Sequence, residues 1–232
     1  MIRNILSISI TLLITILMAT LNLFYPPLHS WLFIVWSRIV LILLGVKLNV
    51  SGKEHIPEMG PGVIIINHES ALDIPIAVAG LQVPARFMAK RELFKVPVFG
   101  WCLALCNHIP IDRQNRTKAI NSIKKVSKNL IRRRIFIIVS PEGTRSHDGQ
   151  IKPFKKGAFR LADTENLPLI PVTIMGARHC IPNKSLNVIP GNVDIVIDKP
   201  VYVHQFANID ECIQAVRESM LMRKETYEQN RQ

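Results

Sequence analysis

Val63-Ile64-Ile65-Ile66-Asn67-His68-Glu69-Ser70-Ala71-Leu72-Asp73 is the stretch on which the reading of this chain turns. Four apolar residues in a row, three of them isoleucines, predict a short strand buried on both faces. Polar residues follow at the carboxyl end of that strand. Open α/β sheets place their ligands and catalytic groups there. His68, with Asp73 five residues on, is a candidate base and its orienting carboxylate. A separation of five does not stack two side chains on one helix face, as three or four would. The pair converges if His68 sits in the turn and Asp73 in the first turns of the next helix. Spacing alone does not single the pair out.

The same pattern recurs downstream. Ile135–Val139 reads as a second buried strand and delivers Ser140-Pro141-Glu142-Gly143-Thr144-Arg145. Between the two, residues 70–81 suit a helix with Pro75 in its first turn, where proline is tolerated. Ala85–Ala89 is a short strand. Residues 92–104 form a broken segment, interrupted by Pro97 and Gly100. Its Leu93, Phe94, Val96, Val98, Phe99, Trp101 and Leu103 are either core or the wall of an apolar groove. Residues 117–132 place Ile120, Ile123, Val126 and Leu130 on one helical face, with lysines and arginines over much of the rest. That basic cover is either a solvated surface or one facing nucleic acid or membrane. Phe159–Asp163 is helical. Leu169–Ile174 is a strand whose Pro171 suggests an edge, a bulge or the strand's beginning. Val193–Ile197 is a late strand, and Ile209–Tyr227 a closing amphipathic helix. The alternation predicts an α/β fold with a largely parallel central sheet flanked by helices, over residues 50–232.

Residues 1–49 differ in kind. Ile5 to Phe24 is an uncharged run of 20 residues, long enough to cross a bilayer and longer than a signal core. Tyr25-Pro26-Pro27 breaks it. A second apolar stretch, Leu28 to Leu48, carries Arg38 in its middle and Lys47 near its end. The expectation is an N-terminal two-helix membrane anchor. Either both helices span, or both lie in one leaflet with Arg38 and Lys47 reaching the head groups. In both pictures Arg3 and the basic body share a side, and the positive-inside rule makes that side cytoplasmic. The 29 Lys+Arg against 17 Asp+Glu give a formal net charge of +12, which favours an anionic partner. The 48% hydrophobic content excludes a disordered chain. Cys102, Cys106, Cys180 and Cys212 have no zinc-site spacing, and nothing demands disulfides.

Taken singly, the polar clusters stay ambiguous. Gly143 permits a close backbone approach, and Arg145 can grip a phosphate through two hydrogen bonds. The alternative is a turn with a surface ion pair. Asp112 in Ile111-Asp112-Arg113 is either a helix cap or the neighbour of an anion-binding arginine. Their order is more specific. Asn67-His68-x4-Asp73, Ile111-Asp112-Arg113, Pro141-Glu142-Gly143-Thr144-Arg145 and Ile170-Pro171-Val172 resemble the four motifs of the glycerolipid acyltransferases. The likeness is nearest to the 1-acyl-sn-glycerol-3-phosphate (lysophosphatidic acid) acyltransferases. Lys90-Arg91-Glu92-Leu93, residues 112–119 and Pro153-Phe154-Lys155-Lys156-Gly157-Ala158-Phe159 also look like that family. Ser140 departs from it, standing where an aromatic or larger apolar residue is usual.

The resemblance implies the glycerolipid acyltransferase fold and a direct acyl transfer. The donor is acyl-CoA or acyl-carrier protein, as co-substrate, and no metal or other cofactor is required. The acceptor is the sn-2 hydroxyl of 1-acyl-sn-glycerol 3-phosphate, and the product is phosphatidic acid. His68 would be the base and Asp73 its orienter. Arg113 and Arg145, with Gly143, Thr144 and Lys90, would hold the phosphate. Glu142 would orient an arginine or a glycerol hydroxyl. The partners are the lysophospholipid, the acyl donor and membrane lipids, with no nucleic acid, at the cytoplasmic face of the inner membrane. The alternatives are an acyltransferase for another lysolipid, or a non-catalytic basic protein tethered to a membrane. A serine hydrolase is disfavoured, since neither Ser70 nor Ser140 sits in a GxSxG elbow.

Overall fold

A computed structural model of the chain describes residues 2–58, 60–112, 123, 126–146, 148–181 and 187–229. Seven strands form one sheet: β1 (Val46–Ser51), β2 (Val63–Ile66), β3 (Ala85–Lys90), β4 (Ile109–Ile111), β5 (Phe136–Val139), β6 (Leu169–Met175) and β7 (Gly191–Ile197). The order is β1-β7-β6-β2-β5-β3-β4. Every neighbouring pair is parallel except β6 and β7. The carboxyl ends of β6, β2, β5, β3 and β4 therefore lie along one edge of the sheet.

The apolar run at 63–66 explains why the sheet is covered twice. Successive side chains point to opposite faces. Ile64 and Ile66 join one core with Ile138, Ile170, Val172 and Ile195. Val63 and Ile65 join the other, with Ile137, Val139 and Leu169. Helices α2 (His29–Leu43) and α3 (Asp73–Leu81), with the short α7 (Ala177–Cys180), cover the first face. The described helical residues 126–132 (α5), α6 (Gly157–Thr164) and α8 (Ile209–Gln229) cover the second. Of the predicted basic helix at 117–132, residues 117–122, 124 and 125 lie outside the described residues.

Three details depart from the sequence expectation. First, β1 begins at Val46, inside the stretch assigned to the anchor, and pairs with β7 over six residues. Its alternating burial matches a sheet edge rather than a membrane helix. Second, β6 is an interior strand, buried throughout, although it holds Pro171. The Pro171 carbonyl accepts from Asp198 N–H on the β7 side. The missing Pro171 N–H thus faces the point where the β7 ladder stops, and pairing with β2 is untouched. Third, of the two alternatives for residues 92–104, core or the wall of a groove, burial speaks against core for most of the segment. It folds as a 3-10 turn (Arg91–Lys95) and helix α4 (Phe99–Leu105). Leu103 is buried, while Leu93, Val96 and Trp101 are exposed.

At the N-terminus, α1 (Ile2–Phe24) is about 34 Å long at ~1.5 Å per residue. It exposes Leu12, Leu13, Ile16, Leu17 and Leu21. Leu6–Phe24 and Pro26–Leu43 are long and apolar enough to cross a membrane by length and composition. Helix α2 also docks on the α/β core through Val40, Leu41 and the following Leu44. Arg38 is exposed. The four cysteines are buried and form no disulfide among the described residues.

Candidate functional site

Strand β2 ends at Ile66, and the next seven residues are pinned from every side. Asn67 continues the sheet with its side chain. Its Nδ2 donates to Ile174 O and its Oδ1 accepts Ile174 N–H, both at 2.8 Å. His68 N–H donates to Glu142 Oε1 at 2.8 Å, and His68 O accepts Ser146 N–H at 2.8 Å. Glu69 is buried. It accepts from Lys224 Nζ at 2.5 Å and from Arg178 N–H at 3.3 Å. The backbone of residue 68 and the side chains of its two neighbours are thereby fixed by β6, by the turn after β5 and by α8.

Asp73 opens α3 and reaches back. Its Oδ2 accepts Glu69 N–H at 2.8 Å and Ser70 N–H at 3.0 Å. The same oxygen lies 2.7 Å from His68 Nδ1. The separation of five works because residues 68–72 form a turn; the helix expected from residue 70 begins only at Asp73. A neutral His68 therefore carries its proton on Nδ1 and leaves Nε2 as the acceptor. The His68 side chain is 21% exposed and that of Asp73 1%. No described residue bonds Nε2, and the ring is partly exposed.

The second cluster follows β5, the next strand over, and adjacent strands lie about 4.8 Å apart. Glu142 does not orient an arginine among the described residues. Its two oxygens accept the N–H groups of His68 and Lys152, at 2.8 and 3.0 Å. Burial pushes its carboxyl above the ordinary glutamate range despite both donors. It is a strut between the two motifs. Gly143 has φ of +76°, and a Cβ there would stand 2.8 Å from Lys155 Nζ. A residue larger than glycine would be strained and would displace that ammonium. Thr144 and Arg145 are exposed, and Lys152 Nζ bonds Thr144 Oγ1 at 3.4 Å and Arg145 O at 3.2 Å. Arg145, Lys152 and Lys155 thus make a cationic turn one strand away from His68.

Lys90 closes β3 on the same edge. It is exposed and 3.8 Å from Glu92. Asp112 follows β4, 3.7 Å from Arg91. Arg113 lies outside the described residues. The structure thus gathers His68, Asp73, Glu142, Gly143, Thr144, Arg145 and Lys90 along adjacent strand ends. Sequence reasoning assigned no role to Asn67, Glu69, Lys152, Lys155 or Lys224. The basic run at 152–156 was visible. Its approach to Gly143 was not, because that contact depends on the path of the loop.

One group of metal-ligating atoms lies close together among the described residues. His29, Cys102 and Cys106 offer atoms within 4.8 Å of one another. The hydrogen bonds around it are already spoken for. Phe87 N–H donates to His108 Nδ1 at 3.1 Å, so neutral His108 carries its proton on Nε2. That proton goes to His29 Nε2 at 3.1 Å, and His29 Nδ1–H goes to Asn22 Oδ1 at 3.0 Å. Burial holds His108 well below its usual range, hence neutral. The His29 lone pair that a metal needs is occupied. The group joins α1 and α2 to the sheet.

Fold and site define an α/β protein with a histidine–carboxylate base on a parallel sheet edge and a cationic turn beside it. The Acyltransferase family model matches residues 47–175, and the chain belongs to that family. A chloroplastic 1-acyl-sn-glycerol-3-phosphate acyltransferase of Brassica napus is 31% identical over 83% of this chain and 56% of its own length. The alpha 1-acyl-sn-glycerol-3-phosphate acyltransferase of Mus musculus is 32% identical over 77% of this chain and 64% of its own. The chain spans about half the length of the first curated relatives it matches. The crystal structure of the 1-acyl-sn-glycerophosphate (LPA) acyltransferase PlsC from Thermotoga maritima is similar, with a TM-score of 0.75 and 29% identity. The match covers 94% of both chains.

Proposed function

We propose that this protein transfers an acyl group from acyl-CoA or acyl-carrier protein to the sn-2 hydroxyl of 1-acyl-sn-glycerol 3-phosphate, giving phosphatidic acid. The observation that carries the reading is the Asp73-held His68, with Nε2 open, one strand from the cationic turn at Gly143–Arg145. The names of the relatives support the substrate class.

The step follows from that geometry. A free hydroxyl is a poor nucleophile, so its proton must leave as it attacks. His68 Nε2 takes that proton while the hydroxyl oxygen bonds the thioester carbon. Asp73 stabilises the imidazolium. The tetrahedral adduct collapses, the C–S bond breaks, and the thiolate departs and recovers the proton. General-base help of this kind is worth about 10²–10⁴-fold, or roughly 3–5 kcal/mol of barrier. Arg145 and Lys155 hold the phosphate above Gly143, with Lys90 at the end of the next strand; the motif that carries Arg113 assigns it to the same phosphate. Holding the phosphate sets the distance from hydroxyl to Nε2, which is the proximity contribution. The acyl thioester is the co-substrate.

The site lies against a bilayer. One side of helix α2 is committed to the protein through Val40, Leu41 and the following Leu44. That favours α1 and α2 lying in one leaflet, with exposed Arg38 and Lys47 at the head groups. The basic body then faces the cytoplasm, at the inner membrane. The test is purified protein with labelled acyl-CoA and a panel of lysolipid acceptors in vesicles. Labelled phosphatidic acid from the phosphate-headed acceptor is expected. Label on a zwitterionic acceptor alone would overturn the phosphate assignment.

A further inference from the structure

The outward apolar surface does not end with α1 and α2. Leu93 is 38% exposed, Val96 44%, Trp101 57% and Leu105 52%. Trp101 and Leu105 stand four apart on α4 and share a face. The opposite side of α4 is buried. Cys102 and Cys106 pack there on Ala19 of α1, with Leu23 and Val98 against them. Helix α4 therefore lies against α1, which also exposes Leu12, Leu13, Ile16, Leu17 and Leu21.

Two further features belong to the same surface. The segment is held in shape from within: Gly100 N–H bonds Val96 O and Phe99 N–H bonds Pro97 O, both at 2.7 Å. Exposed cations border it. Lys90 and Arg91 sit at its start, and Lys95 adjoins Val96 without an acidic partner among the described residues. A tryptophan in an apolar face, next to basic residues, is the composition of a membrane–water interface.

We propose that residues 91–105 are a third membrane-inserted element. Leu93, Val96, Trp101 and Leu105 enter the same leaflet as α1, and Lys95 meets lipid phosphates. The inference rests on the membrane-bound acyltransferase reading. The segment projects outward with half-exposed side chains, whereas a groove for an acyl chain would set them against a facing wall. Strand β3 runs directly into it, so insertion brings the carboxyl edge of the sheet down onto the bilayer. A lysophospholipid then reaches His68 from the membrane without crossing water.

Trp31, Trp36 and Trp101 are the chain's three tryptophans, which allows a direct test. The full chain carrying Trp31→Phe and Trp36→Phe is reconstituted, without substrate, into vesicles of equal parts phosphatidylglycerol and phosphatidylcholine. Lipids brominated near the head group are compared with lipids brominated near the chain end. Insertion to the depth of an interfacial helix, roughly 5–10 Å, predicts about twofold quenching by the shallow bromines and less by the deep ones. If that variant does not fold, the quenching lost between wild type and Trp101→Phe reports the same quantity. Absence of quenching overturns the proposal, placing Trp101 in water or under protein. Quenching by brominated acyl-CoA but not by vesicles also overturns it, placing a donor chain on this face. The outcome is separate from the catalytic reading: transfer without quenching defeats only the insertion, and quenching without transfer defeats only the chemistry.

Discussion

Replacing Lys224 by Met removes the counter-ion of a buried carboxylate. Glu69 and Lys224 are both buried, 2.5 Å apart, and join the catalytic turn to α8 across 155 residues of sequence. Breaking such a pair from one side typically costs about 3–5 kcal/mol. Here the charge has an escape, because Glu69 can take up a proton. An ordinary glutamate titrates near 4.5, so protonation at pH 7 costs about 3 kcal/mol at 1.36 kcal/mol per unit. Burial already pushes Glu69 upward, outweighing the pull of Lys224. The loss is therefore capped near the low end, at about 3 kcal/mol, and thermal unfolding in detergent should drop by roughly 6–12 °C. The sign with pH is fixed. A carboxyl raised by folding costs no stability below its unfolded pKa and progressively more as pH rises above it. The Lys224→Met deficit should thus shrink from pH 7 toward pH 5. Adding Glu69→Gln should recover most of it and abolish the pH dependence. A single variant within about 0.5 kcal/mol of wild type at pH 7, or a double variant no better than the single, would refute the reasoning.

Three further outcomes are expected. Asp73→Asn keeps an oxygen for the Glu69 and Ser70 N–H groups and for His68 Nδ1–H, but removes the charge; kcat should fall by about 10²-fold or more with KM nearly unchanged. A matching rise in KM would show that Asp73 serves binding instead. Asn67→Ala strands the Ile174 N–H and C=O, at about 1–3 kcal/mol each, read by thermal unfolding. An unchanged melting temperature would mean that water replaces the amide. Arg145→Ala should raise KM for the lysophospholipid while leaving the KM of the acyl donor alone; the reverse pattern would move the phosphate elsewhere.

The sheet's centre was legible because it obeys simple patterning. Val63–Ile66 and the strand after Ile135 are unbroken apolar runs, and each hands polar residues to the same edge. The base was legible only through its company. His68 and Asp73 are a common pair, and the later clusters gave them weight. The periphery was harder. β1 hides in the tail of an apolar stretch that looks like anchor, and β4 has three residues with a proline in the middle. Segment 91–105 has the composition of core but faces outward, since hydrophobicity does not say which solvent it meets. The struts were out of reach for a different reason. Asn67 to Ile174, Glu69 to Lys224 and Lys155 above Gly143 are tertiary contacts without local periodicity.

The central claim is that His68 takes the proton from the attacking hydroxyl. It is tested by His68→Ala, assayed in vesicles with labelled acyl-CoA and 1-acyl-sn-glycerol 3-phosphate, with lysophospholipid binding measured on the same protein. Transfer should fall by about 10²–10⁴-fold or more while lysophospholipid binding stays within a few-fold of wild type. A folded, membrane-bound His68→Ala protein that retains most of its kcat would contradict the account.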